Sequence, residues 1–130
     1  MDIKLTIQPQ RIADMMVTAI EGNDMTRSWC GGIYLQGSWK AKRDQLESPW
    51  YSDPKLYVGP DCTIEVLEIT DERSGEVCRH RINLEDINKG FAVMAKDYPQ
   101  SFADFMAENE DAFTADTWLQ CVVLGSTVYG

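Results

Sequence analysis

Residues 83–130, NLEDINKGFAVMAKDYPQSFADFMAENEDAFTADTWLQCVVLGSTVYG, read as three helices that supply a core for the remainder to cover. Leu84, Ile87, Phe91, Met94 and Tyr98 recur at steps of three and four, the spacing that lines one face of an α-helix. Asn83 is placed to cap that helix, with Asp86 at the capping-box position. Pro99 ends it by withholding an N–H and by turning Tyr98 away from helical dihedrals. Phe102, Phe105 and Met106 then predict a short second helix. In the third, Thr114 is a candidate cap and Ala115, Trp118, Leu119, Val122 and Val123 fit one apolar face. Gly125 suits a left-handed closing residue. The last five residues, Ser126 to Gly130, are short and β-branched enough to pair with a sheet edge, either that of the chain's own sheet or across a two-fold axis in a homodimer.

Working back toward the start, Thr63 to Thr70 and Glu76 to Asn83 read as two strands joined by the polar connection Asp71 to Gly75, a hairpin. Alternation puts Cys78, His80 and Ile82 on one face and Val77, Arg79 and Arg81 on the other. Cys30, Gly31, Gly32, Ile33, Tyr34 and Leu35 suggest a bent or bulged strand that Gly37 interrupts. Ile12, Met15, Met16, Ala19 and Ile20 predict a helix begun by Pro9 and ended by Gly22, and its methionines are read as core. Ile3, Leu5 and Ile7 alternate like a short strand. The expectation is one α+β domain over residues 1–130, with a small antiparallel sheet packed against N-terminal and C-terminal helices.

The formal net charge of −9 disfavours direct nucleic-acid binding, which depends on Lys and Arg. No Lys or Arg follows Lys96, so Asp104, Glu108, Glu110, Asp111 and Asp116 form a candidate acidic face for a basic partner. Residues 27–57 differ, with six of the 13 aromatics and a local balance of +2. Aromatic rings stack on bases and cations neutralise phosphates, so Arg27, Trp29, Trp39, Lys42, Arg43, Trp50 and Tyr51 are a candidate nucleotide pocket. The competing reading has Trp29, Tyr34 and Trp50 filling the core, as aromatics in small domains commonly do.

No apolar run approaches the length of a membrane span and no signal segment opens the chain, which places it in the cytoplasm by default. Cys30, Cys62, Cys78 and Cys121 stand apart without a C-x-x-C pair and are expected reduced and mostly buried. Cys78 and the single histidine, His80, offer a nucleophile with a base, or two metal ligands needing Cys62 or acids brought in by folding. Two residue types specify no reaction, and a histidine satisfied by its neighbours is the simpler reading. Glu108, Glu110, Asp111 and Asp116 lack the glycine and spacing of an EF-hand, and Gly31-Gly32 lacks the rest of a phosphate loop. No catalytic residue, metal or cofactor is therefore assigned.

The segments IADMMVTAIEG, SPWYSDP and residues 84–130 resemble a family of small proteins encoded in tailed-bacteriophage genomes. Leu84 to Gly90, Tyr98-Pro99, Phe102-Ala103-Asp104, Thr114-Ala115-Asp116 and Val128-Tyr129-Gly130 carry the resemblance, which covers both ends well and the middle poorly. It implies a phage origin, location in the host bacterial cell and no particular chemistry. On that footing the expected role is a non-enzymatic accessory protein that binds and neutralises a host antiviral-defence component through the acidic face, for example a nucleic-acid-binding CRISPR effector. The alternatives are a sponge for a nucleotide second messenger using residues 27–57, and a small enzyme.

Overall fold

The computed structural model describes residues 7–130. The predicted strand through Ile3 and Leu5 lies outside the described residues, while Ile7 leads without regular structure into helix α1, Pro9–Ile20. Proline at the first helical position loses nothing, since that N–H has no intrahelical partner. Ile12, Ala13, Met15, Met16 and Ala19 are buried along one face of α1, and Gly22 follows with φ +68°. A single turn, α2, Asp24–Arg27, is capped by the Asn23 side chain.

Among the described residues three strands form one antiparallel sheet in the order β1, Cys30–Gln36; β2, Thr63–Asp71; β3, Glu76–Asn83. The expected bulge falls between Cys30 and Gly32, where the pairing of β1 with β2 changes register. Gly37, at φ +70°, ends β1 and turns the chain into α3, Ser38–Ala41, and then into 3₁₀ turns as far as Val58. Across the sheet Leu35, Ile64 and Ile82 stand in one row, all buried, with Val66 beside them. Those side chains face the helices. The opposite face carries Tyr34, Glu65, Leu67, Arg79 and Arg81.

Helix α4, Leu84–Asp97, begins with the full capping box: Asn83 Oδ1 accepts from the Asp86 N–H, and Asp86 accepts from the Asn83 N–H. Tyr98 links it to α5, Pro99–Met106. The third helix, α6, runs from Ala112 to Leu124, three residues earlier than a Thr114 cap would start it. Asp111 is the cap, its carboxylate accepting from the Thr114 N–H at 2.9 Å. Nor does α6 have one apolar face, since every residue from Thr114 to Val122 is buried. The helix lies in the middle of the molecule, with α1, α2, α4, α5 and β3 around it, so all its sides are covered.

Ser126 to Gly130 form no strand. Gln120 Oε1 accepts from the N–H groups of Val128 and Tyr129, and its Nε2 donates to the Tyr129 carbonyl. These bonds use the backbone groups that sheet pairing would have needed. Among the described residues no helix is long and apolar enough to cross a membrane.

Candidate functional site

Folding disperses the predicted acidic face. Asp116 is only 6% exposed, and its carboxylate accepts from Thr26 Oγ1, Trp29 Nε1 and Gln120 Nε2 at 2.8–2.9 Å. It is an internal tether, set in place because α6 is buried all round. Glu110 forms a 2.9 Å ion pair with Arg11, whose guanidinium also donates to the Phe105 carbonyl and lies 4.2 Å from the Phe105 ring centroid. Asp111 is committed to its cap, and the Thr114 N–H there holds its carboxyl below the usual range despite partial burial. Asp104 accepts from Gln100, while Glu108, at φ +59° with a side chain 77% exposed, lies 3.7 Å from the Arg11 guanidinium that also pairs with Glu110.

The aromatic and basic segment is likewise divided. Trp29 is buried and stacked parallel on Tyr129, with centroids 5.9 Å apart, and Trp50 is buried edge-on to Tyr51. Tyr51 donates to Glu21, Arg27 pairs with Asp24, and Lys42 lies 4.8 Å from the centroid of the half-buried Trp39 ring. These seven residues do not enclose one pocket. The expectation of a core role holds for Trp29 and Trp50 and fails for Tyr34, which is 49% exposed.

Tyr34 instead belongs to a groove of about 720 Å³ on the outer face of the sheet. A side chain two residues away shares its face, and at that position stands Gly32. A Cβ on Gly32 would lie 2.7 Å from the Tyr34 hydroxyl oxygen and 2.8 Å from Cε2. Glycine therefore leaves room for the ring to lie back along the strand while half of Tyr34 stays exposed. Around it stand Lys40 and Arg43 from the segment after β1, Trp50, and Arg79 from β3. Among the described residues Lys40 and Arg43 have no ion-pair partner, whereas Arg79 holds Glu65 at 2.8 Å. Of the sequence-derived candidates only Arg43 and Trp50 reach this groove; Tyr34 and Arg79 come to it through strand register, and Lys40 through the turn into α3 after Gly37.

Cys78 and His80 do share a face of β3, as alternation predicts. Their companion is Glu68 of β2, directly opposite Cys78, and not Cys62, which is fully buried elsewhere. Glu68 Oε1 lies 2.8 Å from His80 Nε2, and its other oxygen accepts from the Tyr129 hydroxyl. The Tyr129 and His80 contacts hold the Glu68 carboxyl below its ordinary range. All four cysteines are free; Cys62 and Cys121 are buried and their thiols pushed up to about 12 by desolvation, while Cys78 is exposed. A separate cleft of about 440 Å³, lined by Tyr98, Phe113, Thr117, Gln120 and Tyr129 among others, lies against the C-terminal residues. No family model, curated protein or solved structure matches the chain.

Proposed function

We propose that this is a non-enzymatic binding protein that takes an anionic, ring-bearing ligand of the nucleotide class on the outer face of its sheet. One observation carries the reading: a chain of net charge −9 gathers Lys40, Arg43 and Arg79 around an exposed tyrosine, with only Glu65 against them. An aromatic face stacks on a base for roughly 1–3 kcal/mol without selecting its sequence. Arginine recognises phosphate through its planar fork and lysine as a point charge. The groove falls in the size range of small-molecule sites, about 300–1,000 Å³. Together with the phage resemblance, this supports sequestration of a nucleotide signal in an infected cell. Thermal unfolding against mono-, di- and cyclic nucleotides tests it. A ligand at a hundred times its Kd stabilises by about 2.7 kcal/mol, and Tyr34→Ala and Arg43→Ala, each folded, are expected to lose that shift. No shift with any nucleotide, or one unchanged in both variants, would overturn the reading.

A second reading, neutralisation of a basic host-defence protein, draws support from Glu108 and Asp104. These acids lie on a part of the chain without a single Lys or Arg, and Glu108 is largely exposed. Binding through them should weaken as salt rises, and Asp104→Asn with Glu108→Gln should weaken it further. A partner that holds the double variant undiminished excludes this surface.

A further inference from the structure

The reverse face of the same hairpin brings together three side chains of different chemistry. Glu68 and Cys78 are cross-strand partners, and His80 is two residues beyond Cys78, so all three project to one side. A ligand atom from each, the Glu68 carboxylate oxygen, Cys78 Sγ and a His80 ring nitrogen, lies within 4.8 Å of the other two. The three are the chain's only histidine, its only exposed cysteine and a carboxylate already oriented by a second residue.

We propose that Glu68, Cys78 and His80 form a mononuclear zinc site with three protein ligands and a fourth position open to solvent. Thiolate, imidazole and carboxylate are the donors Zn(II) accepts, whereas calcium and magnesium require oxygen throughout. Zinc bonds of about 2.0–2.3 Å set tetrahedral ligand atoms roughly 3.5 Å apart. The widest separation therefore closes by about an ångström, within reach of rotation about the exposed Cys78 side chain. The Glu68–His80 hydrogen bond, 2.8 Å, opens slightly as both atoms turn to the ion. Cys78 gives up its thiol proton to solvent, and His80 binds as neutral imidazole. Tyr129, from the C-terminal end, donates to the remaining Glu68 oxygen and fixes the carboxylate, the supporting contact that metal sites characteristically possess. Three protein ligands with an open position are the arrangement that admits water or an external donor, unlike the closed four-ligand structural site.

The test is titration of the full chain, reduced and metal-free, with Co(II) as a coloured substitute for Zn(II), its fold checked by circular dichroism. One equivalent is expected to produce a thiolate-to-cobalt charge-transfer band and the d–d absorption of four-coordinate cobalt. Stoichiometric Zn(II) should bleach both and shield Cys78 from alkylation. Cys78→Ser should abolish the charge-transfer band in a folded protein. Tyr129→Phe, which keeps the ring against Trp29, should retain the band and bind about tenfold or more weakly. Absence of the band at one equivalent, or its survival in Cys78→Ser, overturns the site; unchanged affinity in Tyr129→Phe overturns the supporting role of Tyr129.

Discussion

Asp116 illustrates how one buried carboxylate can be stabilised by the number and direction of its donors. Thr26, Trp29 and Gln120 all donate to it, so each of its oxygens is matched as an acceptor. Asp116→Asn preserves the shape but offers an NH₂ where Gln120 already presents one. The glutamine must then flip, losing its contacts to the C-terminal backbone, or face another donor. A loss of about 1–3 kcal/mol is expected by urea denaturation, although the substitution changes only one atom's chemistry. Asp111 behaves differently, because its acceptor survives amidation: asparagine is an equally good cap. Its carboxyl lies below the ordinary range in the folded chain, chiefly through the Thr114 N–H. That contribution is complete above the unfolded value of about 3.9 and is lost as the pH falls through the folded one. Thermal midpoints of the native chain and Asp111→Asn should therefore run parallel near neutrality, with the native chain declining more steeply below about pH 4.

Among the elements, the α4–α6 crossing has the least room. A Cβ added to Gly90 would lie 2.9 Å from both Cα and N of Val122, a backbone that no side-chain rotation can move aside. Gly90→Ala should gain roughly 0.5–1 kcal/mol of helix propensity and still be destabilising overall, since overpacking costs about 1–3 kcal/mol. A variant at least as stable as the parent in calorimetry would show that the helices can separate there. Helices and hairpin were legible in the sequence because their signals are local: the Asn83–Asp86 box, Pro99, Gly125 and the alternation of β2 and β3 each act within a few residues. The start of α6 was less so, because Asp111 and Thr114 are both competent caps and which one acts depends on where the preceding loop delivers the chain. The tail misled for a related reason. Its β-branched residues suit a strand, but Gln120 takes their hydrogen bonds first.

For the molecule as a whole, nearness in sequence was a poor guide to shared surface. Asp116 follows Asp111 by five residues yet is interior, and Trp29 and Trp50 are core while Tyr34 between them is not. The Gly31-Gly32 bulge hid which of Tyr34 and Leu35 would turn inward, and Glu68 joined Cys78 only through hairpin register. The resulting distribution of charge has a measurable outcome. The nucleotide binding proposed for the sheet groove should weaken with added salt, as anion binding to Lys40 and Arg43 requires, and Tyr34→Phe, which keeps the ring, should bind within a few-fold of the parent. The Gln120 clasp carries a different kind of consequence. Through Asp116 it joins the residues after α6 to Trp29 and Thr26, roughly ninety positions earlier in the chain. The amides of Val128 and Tyr129 should accordingly exchange with deuterium in step with those around Trp29, as one cooperative opening unit, and more slowly than chain ends that simply fray.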